Sequence, residues 1–351
     1  MTAKHPAPPT TQAVARVPSA PWLLFFLLVL AAIWSLTVGN YPISLLEQGR
    51  YMLHACTWGG QPDSMRSRLI GVVLCDIRAP RLAAAILIGA ALSTSGAAYQ
   101  SMFVNPLVSP GLLGVLAGSA FGAALGMLAD LSWTVVQGCA FAGGILAVSL
   151  ALGLARICRG DRLLLLVLGG VISTAMFTAL LSAVKYVADP TNQLPAITYW
   201  LMGGLSRADK ATMLRATPLF LVGMAGLFFF SRQLDLLSLG DEEAQSLGLS
   251  VGKMRLVLIA LSTILSAATV SIAGLIGWVG LIIPHAGRML VGPVNRRLLP
   301  TAALLGGLYL LLVDDISRMA FGVEIPLGIL TALAGIPFFP LVLRNARKSW
   351  G

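Results

Sequence analysis

Residues 163–187 read LLLLVLGGVISTAMFTALLSAVKYV, an apolar run whose one charge, Lys185, stands near its end. A helix crossing the hydrocarbon of a bilayer needs about 20 predominantly apolar residues. Similar runs lie on both sides of this one, at roughly 21–39, 79–101, 108–128, 131–155, 212–231, 255–275, 278–291, 298–318 and 326–343. The pattern predicts an all-α, polytopic membrane protein of about ten transmembrane helices. The run at 278–291 is short and the one at 108–128 has Pro- and Gly-rich flanks, so both are expected to be half-length or broken. Irregular backbone at membrane depth is tolerated where protein or a water-filled cavity covers it, which points to a transport bundle.

Composition agrees. Of 351 residues, 57% are hydrophobic and only 11% charged, against about 25% charged in soluble domains. The mean hydropathy is +0.86. The formal charge of +10 is scattered in short clusters between apolar runs, without the aromatic-interleaved basic groove of a nucleic-acid binder. Nucleic acid is therefore not an expected partner; membrane lipid is. The 37 glycines suit closely packed membrane helices. Cys139 and Cys158 lie in or beside apolar runs and read as small hydrophobes, whereas Cys56 and Cys75 would pair only if their loop faced an oxidising compartment.

Lys and Arg in the connecting segments set the orientation. The segment RICRGDR (156–162) and the tail RNARKSWG (344–351) are strongly basic and short. With Lys4, Arg16, Arg232, Lys253, Arg255, Arg288, Arg296 and Arg297 they place both termini in the cytoplasm. The run Trp22–Val38 is read as a retained first span. The organisation is then a tail over 1–20, one transmembrane domain over 21–345 and a tail over 346–351. Segment 40–78 becomes a long outer loop, and Arg78, Arg81 and Arg318 are left on the outside, where charge bias alone does not favour them.

A cytoplasmic loop over 232–254 carries Asp241, Glu242 and Glu243 directly after Gly240, acids at a predicted helix start where the dipole favours them. Leu239, Ala244 and Leu247 are predicted to share one apolar face, and Gly248 to end the helix. Two short helices in this loop would form a docking surface for a partner; a plain connector is the alternative. No catalytic set is visible. His5, His54 and His285 are far apart, HExxH and GxSxG are missing, and GLSVGKM (248–254) lacks both the spacing and the Ser or Thr of a phosphate loop. The chain is expected not to be an enzyme and to bind no metal or cofactor itself.

Four stretches carry a family resemblance: 77–122, beginning IRAPRLAAAILIGAALSTSG; YWLMGGLS (199–206); LDLLSLGDEEAQSLGLSVG (234–252); and AGLIGWVGLIIPHAGRMLVGPVNRR (273–297), continuing to DDISRMAFGVEIPLGILTALAGIPFF (314–339). The chain resembles the permease subunits of binding-protein-dependent ABC importers for iron siderophores, haem and vitamin B12, the FecCD-type family. The resemblance implies a vitamin B12 importer permease-like bundle in a bacterial inner (cytoplasmic) membrane, working as a homodimer with the translocation path on the two-fold axis. It also implies two ABC ATPase subunits that bind ATP and Mg²⁺ on the cytoplasmic side, and a periplasmic substrate-binding protein on the other. Residues Leu239, Gly240, Asp241, Glu242, Glu243, Ala244, Leu247 and Gly248 match the ATPase-coupling helices. Arg78, Arg81 and Arg318 match arginines that receive the binding protein. Gly96, Gln100, Ser101, Asn105, Pro106 and Pro110 match path-lining segments.

Pro284, His285 and Arg288, at the inner end of the short span, are expected to belong to a gate that moves when the ATPases close; a static Pro-shaped turn is the alternative. His285 reads as a packing residue, since no second metal ligand accompanies it. Asp314 precedes Arg318 by four residues, on one helix face, so an ion pair that only neutralises Arg318 is a competing role for that arginine. Two departures from the family pattern blur the substrate: Ala79 replaces a Leu, and ADPTNQLPAITYW (188–200) is a variant outer loop found across chelated-metal and oxyanion branches. Iron-siderophore or haem is the first expectation, then a corrinoid or a molybdate-like oxyanion. A secondary transporter is the distant alternative, requiring intramembrane ionisable groups.

Overall fold

The structure, a computed structural model, describes residues 20–39, 41, 43–57, 65–158, 160–320 and 323–346, with the side chains of 52–57 and 338–346 outside that description. Most of the N-terminal tail (1–19) and of the C-terminal tail (347–351) therefore lies outside the described residues, as do Lys4, Arg16, Arg159, Arg347 and Lys348. The Cys56 side chain lies outside them too, while Cys75 is a free, exposed thiol.

The described elements are helical. In chain order they are α1 (Ala20–Ser35), α2 (Leu45–Thr57), α3 (Met65–Val72), α4 (Ala79–Met102), α5 (Val115–Leu128), α6 (Trp133–Ile157), α7 (Arg162–Val187) and α8 (Gln193–Leu201). They continue as α9 (Lys210–Phe229), α10 (Ser231–Leu237), α11 (Asp241–Ser246), α12 (Val251–Ala273), α13 (Val279–Val291), α14 (Asn295–Met319) and α15 (Leu327–Ala346). Six helical stretches are long and apolar enough to cross a membrane, and the apolar helices Ala20–Ser35, Val115–Leu128, Val279–Val291 and Leu327–Pro337 are shorter. Each predicted run finds its helix among these, and the chain is an all-α, multi-pass membrane protein.

One expectation needs correcting, and two are made specific. Segment 40–78 is not a simple loop: α2 forms there, and α3 runs through a π-helical segment, Val73–Arg78, into α4 without a break. The 108–128 run does split, into a 3₁₀ turn (Pro110–Leu113) and α5, with Gly114 at φ +85° between them. The Pro284 helix, in contrast, is short but unbroken from Val279 to Val291. Proline removes only one donor, and a tightly packed helix survives that loss.

Helix α4 is the central post, packing against α14, α13, α12 and α9. Every residue from Ile88 to Met102 is buried, and the stretch is built from Gly, Ala, Ser and Thr with few large side chains. Small residues let backbones approach, and that contact replaces the hydrophobic drive that lipid cannot supply. At Gly89 a Cβ would collide with the backbone of Gly306 in α14, and at Gly96 with the carbonyl of Gly280 in α13. Hydroxyls in the post bond back to their own helix, Ser93 Oγ to the Gly89 carbonyl at 2.5 Å and Thr94 Oγ1 to the Ala90 carbonyl at 2.7 Å.

The odd-numbered crossings, counted along the ten spans, carry the chain from the end bearing 156–162 and 231–250 to the opposite end. We call the first the inner end, following the charge pattern, and its opposite the outer end. At the outer end three connectors are joined through the main chain: Gly204 N to the Ala273 carbonyl (2.9 Å), Leu327 N to the Gly203 carbonyl (2.9 Å) and Gly328 N to the Met202 carbonyl (3.0 Å). The GGLS motif is thus the meeting point of the α8–α9 connector, the end of α12 and the start of α15. Nearby, Asp209 caps α9, and hydrogen bonds from the Thr212 side chain and amide hold its carboxyl below the usual range.

Candidate functional site

At the inner end, α10 and α11 form the pair of short helices read from the sequence. Gly240 turns the chain at φ +111° and Gly248 leaves α11 at φ +85°, both left-handed positions suited to glycine. Asp241, Glu242 and Glu243 stand in the first turn of α11. The predicted common face does not form: Ala244 is fully buried, while Leu239 and Leu247 are more than half exposed. Ala244 is the helix's contact with the body, so the two leucines point away from it, beside the exposed Glu242 and Glu243. Asp241 turns inward, accepting from both terminal nitrogens of Arg255 at 2.7 and 3.0 Å, which fastens α11 to the start of α12.

A second fastening involves residues the sequence did not single out. Asp235 in α10 accepts from the Asn295 amide at 2.7 Å and from its side-chain Nδ2 at 2.9 Å. Asn295 Oδ1 in turn accepts from Ser101 Oγ at 2.9 Å. The loop, the first residue of α14 and the last turn of α4 are thereby linked through one buried amide. Both Asp235 and Asn295 fall in inner-end segments by charge counting, but nothing local in the chain pairs residues so far apart.

Beside this link, Gln100 joins α4 to α13, donating to the Leu281 carbonyl at 3.1 Å and accepting from Arg288 Nη1. The predicted path and gate residues divide accordingly. Gly96, Gln100, Ser101 and Pro110 are buried against other helices of the same chain, with Pro284. Pro106, His285 and Arg288 are half-buried, and Asn105 is exposed, its side chain accepting from the Leu107 amide at 2.9 Å in a tight turn that includes Val104 at φ +48°. The structure thus joins Gln100 and Arg288 directly, and Asn105 meets Gln100 only through its backbone amide, which donates to the Gln100 carbonyl at 3.1 Å.

The outer end brings Arg78, Arg81 and Arg318 together, but not as a free rim. Arg78 is buried and donates to the Leu36 and Tyr41 carbonyls, each at 2.5 Å, closing the end of α1. Arg81 grips Asp314 with Nε and Nη2, 3.0 and 2.9 Å, and Glu324 with Nη1 at 2.7 Å. Arg318 lies 3.2 Å from Asp314 and pairs with Asp315, which also accepts from Ser35 Oγ at 2.6 Å. Three guanidinium groups are met by three carboxylates and by backbone carbonyls. The Asp314–Arg318 pair expected from its spacing is present, with Arg81 as a further partner that spacing could not reveal.

The chain as a whole is similar to known proteins. The molybdate import system permease protein MolB of Haemophilus influenzae is 37% identical over 94% of this chain and 97% of its own length. The hemin transport system permease protein HmuU of Yersinia pestis is 35% identical over 93% and 96%. Further relatives are named for cobalamin import and iron chelatin transport. A solved structure described as an inward-facing metal-chelate type ABC transporter superposes with a TM-score of 0.84 at 36% identity, covering 94% of this chain and all of that one. The family model described as the FecCD transport family matches residues 27–345. With a helical bundle of this topology and an inner-end loop of this construction, the chain belongs to the FecCD transport family.

Proposed function

We propose that this chain is the transmembrane permease subunit of a binding-protein-dependent ABC importer, and that two copies enclose the translocation path. The observation that carries the reading is the α10–α11 unit. It is clamped to the bundle by Asp235 and Asp241 on one side and offers Leu239, Leu247, Glu242 and Glu243 on the other. A surface of that kind transmits force to the membrane helices from whatever docks on it. Two ATPase subunits, which bind the ATP and Mg²⁺, are the proposed occupants; a substrate-binding protein serves the outer end. The chain would lie in an inner membrane with both termini cytoplasmic, as one domain over 21–345.

For the cargo we infer a chelated metal, iron-siderophore or haem. The support is the relatives named for haem and iron chelatin and the metal-chelate neighbour. A molybdate-like oxyanion is the second reading, supported by the MolB relative. The outer cluster can contribute to binding-protein docking chiefly through its edge at Glu324, since its arginines are already paired.

The test is reconstitution of the chain with its ATPase and binding protein in vesicles. The double charge reversal Glu242→Lys and Glu243→Lys is expected to abolish cargo uptake and its coupling to ATP turnover while leaving the bundle folded. Uptake is compared for ferric siderophore, haem, cobalamin and molybdate. Transport of the chain's cargo by the double variant at the unaltered rate would overturn the docking role, and preferential uptake of molybdate would overturn the chelate reading.

A further inference from the structure

A cleft of about 660 Å³ opens at the inner end between the α6–α7 turn and the first turns of α12. Arg156, Arg162, Lys253 and Arg255 line it together with Leu165, Leu166 and Ile259. Four cations in one cleft repel each other, so they are arranged there at a cost unless an anion compensates. Asp241 neutralises Arg255 alone. Among the described residues Arg156, Arg162 and Lys253 make no ion pair. Asp161, the carboxylate adjacent to Arg162, is committed to capping α7 through the Leu164 amide at 2.8 Å. The Arg162 guanidinium reaches across to α12, where a Cβ at Gly252 would come within 2.9 Å of it.

Arg255 belongs to the wall of the cleft. Arg255 is only 3% exposed, and its Nε has no hydrogen-bond partner although both terminal nitrogens are paired with Asp241. The Nε atom is closed off from the cleft, so the headgroup contacts fall to the exposed Arg156, Arg162 and Lys253. The geometry points to a binding site for a phosphate group presented by an anionic phospholipid, its headgroup between Arg156, Arg162 and Lys253 and an acyl chain against Leu165, Leu166 and Ile259. The cation ring sits at a membrane edge and the wall beneath it is apolar, which is the environment of a lipid rather than of a free ion. Basic pockets between helices on the cytoplasmic face hold acidic headgroups in this way. The site stands apart from the path residues, and it couples lipid to the loop because Arg255 is also the anchor of α11.

The purified full-length chain in detergent micelles is titrated with cardiolipin, with phosphatidylcholine and with inorganic phosphate, reading melting temperature and native mass. Cardiolipin is expected to bind and to raise the melting temperature, and phosphatidylcholine to do neither. The triple variant Arg156→Gln, Arg162→Gln, Lys253→Gln is expected to bind cardiolipin on the order of a hundredfold more weakly. These side chains are exposed, so the variant should fold, and Arg232→Gln serves as the control for loss of a remote inner-end charge. Equal affinity of triple variant and parent, or equal binding of phosphatidylcholine, would overturn the site. Inorganic phosphate binding as tightly as cardiolipin would overturn the lipid assignment in favour of a free anion.

Discussion

Asp235 holds Asn295 twice, through the backbone amide and through the side chain, across 60 positions of sequence. The amide it binds is an orphan of the first turn of α14, so the carboxylate acts as a helix cap supplied from a different element. The same asparagine reaches Ser101 with its other side-chain atom. Replacement Asp235→Ala is expected to cost about 1–3 kcal/mol, the range for leaving buried donors unmade. It should also lower the number of cargo molecules moved per ATP in reconstituted vesicles. Asp235→Asn keeps one acceptor and should retain more of both; stability by denaturation and the transport-to-hydrolysis ratio are the two readings.

The outer cluster predicts a stability effect rather than a docking effect. Arg81→Gln leaves Asp314, which is 1% exposed, without its principal partner. Breaking a buried pair from one side costs about 3–5 kcal/mol. The variant should therefore melt earlier in detergent. The double variant Arg81→Gln, Asp314→Asn should recover part of that loss. If the single variant melts with the parent and only binding-protein affinity falls, Arg81 is a docking residue first.

The post predicts a steric effect. Gly306→Val would push into the Ser93 side chain and into the Gly89 carbonyl, a backbone atom that has no rotamer to give way. Overpacking of this kind costs about 1–3 kcal/mol in a core and more where backbone is the obstacle. Gly138→Val, at a position where a Cβ meets nothing within 4 Å, should be tolerated. Expression and melting temperature of the two variants side by side give the check.

Motion of α13 is expected on ATP binding, because Gln100 and Arg288 tie it to α4 near the docking loop. Spin labels at Gly277 and Gly292, in a functional cysteine-free background, should change distance to a label on the ATPase partner between nucleotide-free and ATP-bound states. Gly277 has room for the label's attachment. Fixed distances during transport would make α13 scaffold.

Length and hydropathy were enough to read the bundle, since each span had to hide its own backbone from lipid. The left-handed glycines 240 and 248 and the acids between them were equally legible, because helix ends are local events. What could not be read, beyond the i,i+4 pair of Asp314 and Arg318, was which polar groups meet across long stretches of chain. Arg81 and Glu324 lie 243 positions apart, and Ser35 and Asp315 280 apart. Charge counting left three outer arginines unexplained and the family resemblance assigned them to a partner; the chain meets Arg81 and Arg318 with its own carboxylates and Arg78 with backbone carbonyls. The leucines of the docking loop were misplaced for a related reason. Periodicity finds a face, but in a helix of six residues a single buried alanine decides which way that face turns.

The main-chain bonds between 202–204, Ala273 and 327–328 are made by peptide groups and ask of the side chains only that Gly203, at φ +79°, and Gly328, where a Cβ would meet the Met202 carbonyl at 2.5 Å, stay glycine. That region can accept sequence drift on its exposed atoms, in whatever way a changing binding protein demands, without loosening the three connectors. A family that serves many cargoes needs an outer face free to vary and a frame that does not vary with it, and a seam made of peptide groups provides both.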